Sequence, residues 1–464
     1  MANQSHFTTR WTPPPDPERL NYPFFPGFKT TIRTHNPPAP FGRPAYGPGT
    51  RPSVPDDWLM SVTQREHILA YPPLETPPAA KPEVADLTIT KPLAIGGARG
   101  AQVVVCSIAK KAASGKENAF TAVAKIFDPL YYPFSGDLVG QPVDVVSRAD
   151  GDYSREAAAY EHLRKKGLTG SFAPEYYGSW TFTSSIRDHT GRVQQRQIRL
   201  ILIEYLNGYS MRSLFTRNSS GPDAEVDAFH YSEDFRLDVL ASLFDGEVRQ
   251  VHSGLFQGDL APRNIIIVPH SGNESDLQQG PRPRVVLVDY ALALVWAQTK
   301  YSKVMGESAS AVLPQNPMER YWTATFIHLA GWVPEAWHSN PRLRQEWLVS
   351  RFGAETKSNY APISKDYHQS ATEHPSGSDA GQAPQQQSAP RQPNASGAGQ
   401  EHHKQPSKKL DDASGAGQGA SQRPGIQGSS TTAGDISTFE FEVAPPPEIW
   451  PGYRNSPTSK IFTG

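Results

Sequence analysis

The chain has 464 residues, of which 44 are proline and 37 are glycine, and its formal net charge at pH 7 is -1. This near-neutral balance, without a dense cluster of Lys and Arg, argues against a nucleic-acid-binding surface. The prolines and glycines are unevenly spread, which excludes a chain that is packed core throughout, so we expect one folded domain with long irregular flanks.

Residues 1–83 form a predicted N-terminal extension that is rich in proline and aromatic residues, with a short helical stretch near "DDWLMSVTQREHILA". The extension lacks the apolar core of a signal peptide, and no apolar run in the chain is long enough to span a bilayer. Cys106 is the single cysteine, which excludes an internal disulfide and favours a reducing compartment. We therefore expect a soluble protein of the cytoplasm or nucleus that binds neither membrane nor nucleic acid.

A regular alternation of strand and helix patterns extends over residues 84–353 and defines the predicted domain. Three strands precede the helix "DYSREAAAYEHLRKKG", and two strands, the long helix "HYSEDFRLDVLASLFDGEVRQVHSG", a hairpin and the helix "NPRLRQEWLVSRFG" follow. This order predicts an α+β fold with two lobes, a β-sheet lobe followed by a helical lobe.

Two segments follow the predicted domain. Residues 354–438 are dominated by Gln, Ser, Gly and Pro and bury too little apolar surface to offset the entropy of ordering, so we expect disorder. Residues 439–464 regain aromatic residues in "STFEFEVAPPPEIWPGY", and this segment either docks back on the domain or serves as a binding motif. We expect protein partners to bind through the proline-rich extension and the tail.

An ion pair is predicted between the third strand and the first helix of the domain. Glu156 shares a helix face with Tyr160 and Leu163, because these residues are spaced i, i+4 and i+7. A buried glutamate needs a cation, and Lys125 in "TAVAKIFD" shares a strand face with Val123. The alternative is an edge-strand lysine and a half-exposed helix acid.

Polar turn residues occur at three further places. In "IGGARGAQVVV", Gly96, Gly97 and Gly100 permit close approach of the backbone to a phosphate, although glycine-rich turns are common between strands. The stretch "LFQGDLAPRNIIIV" places Asp259 five residues before Asn264, on a turn that leads into a buried strand. The strand "VVLVDYALA" contains Asp289 at its end, a position that is also typical of a simple turn former.

Taken in this order, the motifs resemble those of the protein-kinase-like superfamily over about residues 84 to 296. The resemblance implies a two-lobed fold and an ATP site. Gly96, Gly97 and Gly100 would cover the phosphates, which Lys125 would contact while paired to Glu156.

The remaining site residues are also implied by the resemblance. The segment "LIEYLNG", with Glu204, Tyr205 and Leu206, corresponds to the hinge whose backbone holds adenine. Asp259 would orient the acceptor hydroxyl, and Asn264 and Asp289 would bind Mg²⁺. Arg263 would add positive charge near the transferred phosphoryl group, or it would form an ordinary salt bridge.

The chain departs from the protein-kinase pattern at several positions. The HRD triplet is replaced by "QGD", DFG by "DYA", and the first glycine of GxGxxG is displaced. Without the HRD arginine, regulation by a phosphorylated activation loop is not expected. No APE motif follows Asp289, so we expect a shortened helical lobe, a style that also resembles fungal kinase-like proteins and aminoglycoside and choline phosphotransferases.

Three functions are compatible with these patterns. The first is an ATP- and Mg²⁺-dependent phosphotransferase that acts on a hydroxyl of a protein Ser or Thr or of a small molecule. The second is a pseudokinase that serves as a binding or scaffold module, which the altered glycine loop, Gln257 and Ala291 favour. The third is a structural interaction protein in which the order of the motifs is a coincidence.

Overall fold

The computed structural model of the protein describes residues 11–97, 99–111, 117–136, 140–217, 226–302, 312–353 and 359–363. Of the segment predicted to be disordered, residues 354–438, only residues 359–363 are among them, and the predicted C-terminal segment, residues 439–464, lies outside them. The described residues all belong to one unit by their contacts.

Six antiparallel strands form a closed barrel. They are Lys29–Thr34 (β1), Val84–Ala94 (β2), Gln102–Lys111 (β3), Glu117–Phe127 (β4), Tyr176–Arg187 (β5) and Val193–Glu204 (β6). Around the barrel the order is β1-β2-β3-β4-β6-β5, and β1 closes it by pairing with β5 as well as β2. The sequence predicted β2 to β6 but not β1, so the expected sheet lobe is corrected to a closed barrel.

Strand β1 was missed because its sequence, "KTTIRT", has a single large apolar residue and lies among prolines. That residue, Ile32, is fully buried in a hydrophobic cluster with the barrel interior. Phe24, Val54, Leu59 and Ile68 of the extension belong to the same cluster. The described part of the extension is therefore packed against the domain whose predicted start was residue 84.

The remaining elements are mostly helical. The helices are Asp56–Ser61 (α1), Gln64–Ala70 (α2), Val145–Lys165 (α3), Glu233–His252 (α4), Asp276–Gln279 (α5), Pro317–Tyr321 (α6), Ala336–Ser339 (α7) and Pro341–Phe352 (α8). Short strands are Tyr209–Ser210 (β7), Thr216–Arg217 (β8), Val226–Asp227 (β9), Leu255–Phe256 (β10), Ile265–Val268 (β11), Arg284–Leu287 (β12) and Leu294–Val295 (β13). The predicted mixed α+β class is confirmed.

Helix α3 begins earlier than the sequence predicted. Its first residue is Val145, and the Asp144 side chain caps it by accepting a hydrogen bond from the Ser147 amide at 2.9 Å. The prediction began at Asp152 because Gly151 weakens a helical pattern. The early start gives α3 a long apolar face that packs on the barrel.

The buried apolar residues form two hydrophobic clusters. The first contains the barrel interior, α3 and the described extension. The second contains buried residues of α4, α6, α7, α8, β11 and β12. Tyr290, Ala293 and Val295, which follow β12 in the chain, pack in the first cluster. Among the described residues, no helix has both the length and the apolar character needed to cross a bilayer.

The burial of Ile32 yields a test of whether the extension is part of the core. Truncation of Ile32 to Ala in the full-length chain leaves a cavity in the barrel and is expected to lower the free energy of unfolding by about 2–5 kcal/mol. The control Arg33→Ala changes an exposed neighbour in β1. Urea denaturation of both variants measures the difference, and equal stabilities would show that β1 does not contribute to the core.

Candidate active site

Lys125 lies at the centre of the candidate site. It is carried by β4, between Val103 of β3 and Ile201 of β6 in the register of the barrel. Its Nζ atom lies 2.5 Å from Oε2 of Glu156 on α3 and 2.7 Å from Oδ1 of Asp289, which follows β12. One ammonium therefore joins three elements that are distant in sequence.

The three charges of this cluster are unequally accessible. The Glu156 side chain is 1% exposed, whereas that of Asp289 is 42% exposed. Burial alone would lower the pKa of Lys125, but the carboxylates of Asp289 and Glu156 raise it above its ordinary value. Lys125 is therefore protonated, and Asp289 is the most accessible member of the cluster.

The two carboxylates titrate as a coupled pair because they share one ammonium. Burial, together with the nearby charge of Asp289, raises the pKa of Glu156 to about 7 against the opposing effect of Lys125. Partial burial opposes ionisation of Asp289, but the adjacent Lys125 ammonium lowers its pKa below the ordinary value. The negative charge is thus concentrated on the more accessible acid.

The turn before β11 brings the second group of predicted residues together. Strands β11 and β12 pair antiparallel, with Ile265 opposite Leu287, so Asn264 and Asp289 lie at the same end of this hairpin. The Val288 amide donates to the Asn264 carbonyl at 2.9 Å and extends the pairing to the site. The backbones of the predicted metal-binding pair are therefore close in space although the two residues are 25 positions apart in the sequence.

The Asp259 carboxylate is buried and accepts two side-chain donors. Arg263 Nη2 donates to Oδ1 at 2.8 Å and to Oδ2 at 2.7 Å, and Asn264 Nδ2 donates to Oδ2 at 2.8 Å. The Arg263 side chain is 63% exposed. Arg263 therefore forms the salt bridge that was one of its two predicted roles, and it does so with Asp259 itself.

Gln257 connects the two groups, a role that the sequence did not reveal. Its Oε1 atom accepts the Asp259 amide at 2.6 Å, and its Nε2 atom donates to the carbonyls of Asp289 at 2.7 Å and Val288 at 3.2 Å. The side-chain amide of Gln257 can hold both segments, since it offers a donor and an acceptor at once.

The backbone around the site is constrained at two positions. Asp289 has φ 63°, a left-handed conformation that is uncommon outside glycine. Gly258 has φ +84°, and a Cβ atom there would lie 2.6 Å from the Leu292 carbonyl oxygen. Glycine at 258 thus permits the turn that carries Asp259 to approach the segment after Asp289.

Tyr290, the residue that follows Asp289, is held in place by its hydroxyl group and by its ring. Its hydroxyl donates to the Leu287 carbonyl at 3.2 Å and accepts from Gln250 at 2.6 Å, and its amide lies 3.4 Å from Glu156 Oε1. The ring packs edge-on against Tyr160 of α3, with a centroid distance of 5.0 Å. This side chain therefore links α3 to the segment that holds Asp289.

The predicted phosphate loop joins β2 to β3 and is closed by Gln102. Gln102 Oε1 accepts the Gly96 amide at 2.8 Å, and its Nε2 atom donates to the carbonyls of Gly96 and Gly100. A Cβ at Gly100 would lie 3.2 Å from the Tyr132 ring, whereas Gly97 faces open space. The loop lies at the Lys125 end of the barrel, but its Gly96 amide is already bonded.

The predicted hinge follows β6. The Glu204 carboxylate pairs with Arg284 through contacts of 2.7 and 3.0 Å, and its amide donates to the Glu175 carbonyl at 2.9 Å. Tyr205 packs against the first cluster, and the Leu206 carbonyl accepts the Gly208 amide at 2.9 Å. The Glu204 side chain is thus structural, and the Glu204 amide and the Leu206 carbonyl already have partners within the chain.

No protein-family model matches the chain, and a search of curated proteins found no significant match. What the protein does must therefore be inferred from its own residues.

The bridging role of Gln257 predicts a specific loss of stability. Gln257→Leu keeps the approximate volume but leaves one amide and two carbonyls without their partner, so we expect the free energy of unfolding to fall by about 2–4 kcal/mol. Gln195→Leu is the control, because Gln195 is exposed and bonds only Ser185 across the barrel surface. Urea denaturation would contradict the bridging role if the two variants were equally stable.

The raised pKa of Glu156 predicts a dependence of stability on pH. Its folded value of about 7 exceeds the ordinary 4.5, so the stability that protonated Glu156 contributes is full below pH 4.5 and is lost as the pH rises through 7. Between pH 5 and 8 the free energy of unfolding of the wild type should therefore fall relative to that of Glu156→Gln. The slope against pH should approach the value for one proton that the folded state binds more tightly. Urea denaturation across this range measures it.

The control for this measurement is Glu161→Gln, a change of the same type on α3. Glu161 pairs with Arg164 and Lys165 at the surface of the helix. Its variant should follow the wild-type pH profile, and parallel profiles for the wild type and Glu156→Gln would contradict the assignment to Glu156.

Proposed function

We propose that the protein is an ATP- and Mg²⁺-dependent phosphotransferase with a protein-kinase-like fold. The barrel and α3 would form its first lobe, and α4 with the later helices would form a shortened second lobe. The observation that carries the proposal is the Lys125 ammonium held between Glu156 and Asp289. Phosphoryl transfer depends on positioning and on neutralising charge, and this cluster supplies a fixed cation beside an accessible carboxylate.

Nucleotide binding is assigned to the barrel side of the site. Lys125 would contact the phosphates, since its two carboxylate partners hold its position and charge. The backbone of Glu204, Tyr205 and Leu206 would hold the base. Gly96, Gly97 and Gly100 would cover the phosphates if the Gly96 amide exchanges its Gln102 partner for a phosphate oxygen.

Asn264 and Asp289 would hold Mg²⁺ on the nucleotide phosphates, where the ion neutralises the charge that develops during transfer. The donor set fits, because Mg²⁺ is commonly bound by one or two carboxylates together with phosphate oxygens and water. Asp289 is partly exposed and carries the lowered pKa that an ionised ligand needs. No group of three or more His, Cys, Asp or Glu suited to hold a metal by itself occurs among the described residues.

Asp259 would orient the acceptor hydroxyl and accept its proton. Its carboxylate already accepts hydrogen bonds from Arg263 and Asn264, and these fix its orientation while leaving acceptor capacity for a further donor. The exposed Arg263 guanidinium would add positive charge near the transferred phosphoryl group. The acceptor is then the hydroxyl of a protein Ser or Thr or of a small molecule.

A second candidate function is a pseudokinase that binds partners without transferring phosphate. The closed glycine loop favours it, because Gln102 occupies the Gly96 amide that a phosphate would need. In this case the Lys125 cluster would serve the fold alone. The two candidates differ in whether nucleotide binds and in whether Asp259 affects the outcome.

The first test is thermal unfolding of the full-length protein with ATP and Mg²⁺, separately and together. A ligand that binds only the native state at 100 times its Kd stabilises it by about 2.7 kcal/mol. For a domain of more than 300 residues, with an unfolding entropy of about 2.1 cal/mol/K per residue, that amounts to a rise in Tm of about 4 °C. We expect this rise only with both ligands and expect Asp289→Asn to abolish it.

The matched control is Asp238→Asn. The Asp238 side chain is also 42% exposed and also pairs with cations, Arg282 and Arg351, but it lies on α4 away from Lys125. This variant should keep the response to ATP and Mg²⁺. If the wild type shows no response, the proposed function fails.

Asp259→Asn separates the two candidate functions. If the protein transfers phosphate, the variant should keep its thermal response to ATP and Mg²⁺ but lose phosphoryl transfer or ATP turnover by about 10²- to 10⁴-fold. Turnover of γ-labelled ATP by the wild type and the variant measures this loss. A wild type that binds nucleotide but has the same turnover as Asp259→Asn favours the pseudokinase.

A further inference from the structure

We propose that the loop Phe41–Gly47 of the N-terminal extension, here called the extension loop, is a positioning element for the active site. It holds helix α3, which carries Glu156, against the segment that follows Asp289. The residues that make the connection are Tyr46 and Arg155. This inference rests on the proposed function, because it concerns how the site of that function is kept assembled.

Tyr46 attaches the extension loop to the segment after Asp289. Its hydroxyl accepts the Val295 amide at 2.6 Å and donates to the Ala293 carbonyl at 3.2 Å. A third bond joins the Lys300 amide to the Ala45 carbonyl at 2.9 Å. The extension loop therefore pairs with this segment at three points although about 250 residues separate them in sequence.

Arg155 attaches the same loop to α3. Its Nη1 atom donates to the Phe41 carbonyl at 2.5 Å, its Nε atom to the Ala291 carbonyl at 2.6 Å, and its Nη2 atom to Asp152 at 2.5 Å. The side chain is buried, so each lost acceptor would leave a desolvated donor. One guanidinium thus joins the extension, α3 and the residue two positions after Asp289.

Two glycines allow this guanidinium to fit. A Cβ atom at Gly151 would lie 2.8 Å from Arg155 Nη1, and one at Gly42 would lie 3.1 Å from the same atom. Gly42 also has φ +80°, which favours glycine. The close approach of α3 to the extension loop therefore depends on a glycine in each of them, Gly151 in α3 and Gly42 in the loop.

The connection extends to Asp259. Val295, which Tyr46 holds, lies in β13 and pairs with Leu255 of β10. Strand β10 ends at Phe256, directly before Gln257, and Gln257 bonds both the Asp259 amide and the Asp289 carbonyl. Strand pairing and hydrogen bonds thus connect the extension loop to Asp259 and Asp289.

Tyr46→Phe in the full-length protein tests the proposal, because it removes one hydroxyl and keeps the ring. We expect amide exchange of peptides within residues 290–302 to become about tenfold faster, as for one lost hydrogen bond. The Mg²⁺ concentration at half-maximal stabilisation by ATP should rise by about 2- to 30-fold, while the ATP concentration at half-maximal stabilisation in saturating Mg²⁺ stays the same. A purely structural role would not change the Mg²⁺ requirement selectively.

Tyr360→Phe is the matched control, since its hydroxyl donates to Asp245 at 2.6 Å, next to α4. It should change neither exchange in residues 290–302 nor the Mg²⁺ requirement. Arg155→Lys, which keeps the charge but cannot serve three acceptors in a fork, should reproduce the effects of Tyr46→Phe.

The outcomes separate this inference from the proposed function. A wild type with Mg²⁺-dependent nucleotide binding, together with a Tyr46→Phe variant of unchanged Mg²⁺ requirement, overturns the inference and leaves the function intact. If the wild type binds no nucleotide, the proposed function fails. Amide exchange alone then tests whether Tyr46 and Arg155 hold α3 against the segment after Asp289. Unchanged exchange in residues 290–302 and in α3 overturns the inference.

Discussion

The buried ammonium of Lys125 is the group on which the rest of the site depends. A charge of this kind is costly to remove from water unless opposite charges meet it at short range. Its partners come from α3 and from the residues after β12, so both segments must lie beside the same point of β4. The pairing of this one cation therefore constrains how α3 packs on the barrel and where the chain runs after β12.

Stability alone does not account for charges at this point. A buried ion pair contributes little more than well-packed apolar residues of similar volume, and the left-handed conformation of Asp289 adds a cost of at most about 2 kcal/mol, because Asp adopts this region more readily than most non-glycine residues. Perturbed pKa values and backbone strain at the same residues are typical of functional sites. Their coincidence at Asp289 is the physical basis for placing the proposed chemistry there.

The sequence was sufficient where periodicity determines the structure. The inward position of Glu156 follows from helical spacing, and that of Lys125 from strand alternation. It was insufficient where single contacts decide. Strand β1 has one large apolar residue, too few for an alternating pattern. The start of α3 is hard to predict because Gly151 weakens the helical pattern. The same glycine makes room for the Arg155 guanidinium. The bridging role of Gln257 depends on three hydrogen bonds that no periodic pattern encodes.

The glycine loop bears on the choice between the two candidate functions, because Gln102 must release the Gly96 amide before a phosphate can bind there. Gln102 closes the loop with neutral hydrogen bonds to Gly96 and Gly100, each of which contributes about 1 kcal/mol net. A phosphate oxygen is a charged acceptor, and hydrogen bonds to charged acceptors are about twice as strong. Exchange of Gln102 for a phosphate at the Gly96 amide is therefore favourable in this hydrogen bond, and Gln102 can stay in its fully buried position because its Oε1 atom also accepts the Tyr22 hydroxyl at 2.9 Å. The closed loop therefore favours the pseudokinase only by the small free energy that one charged hydrogen bond can offset, and the clearer difference between the two candidate functions lies at Asp259.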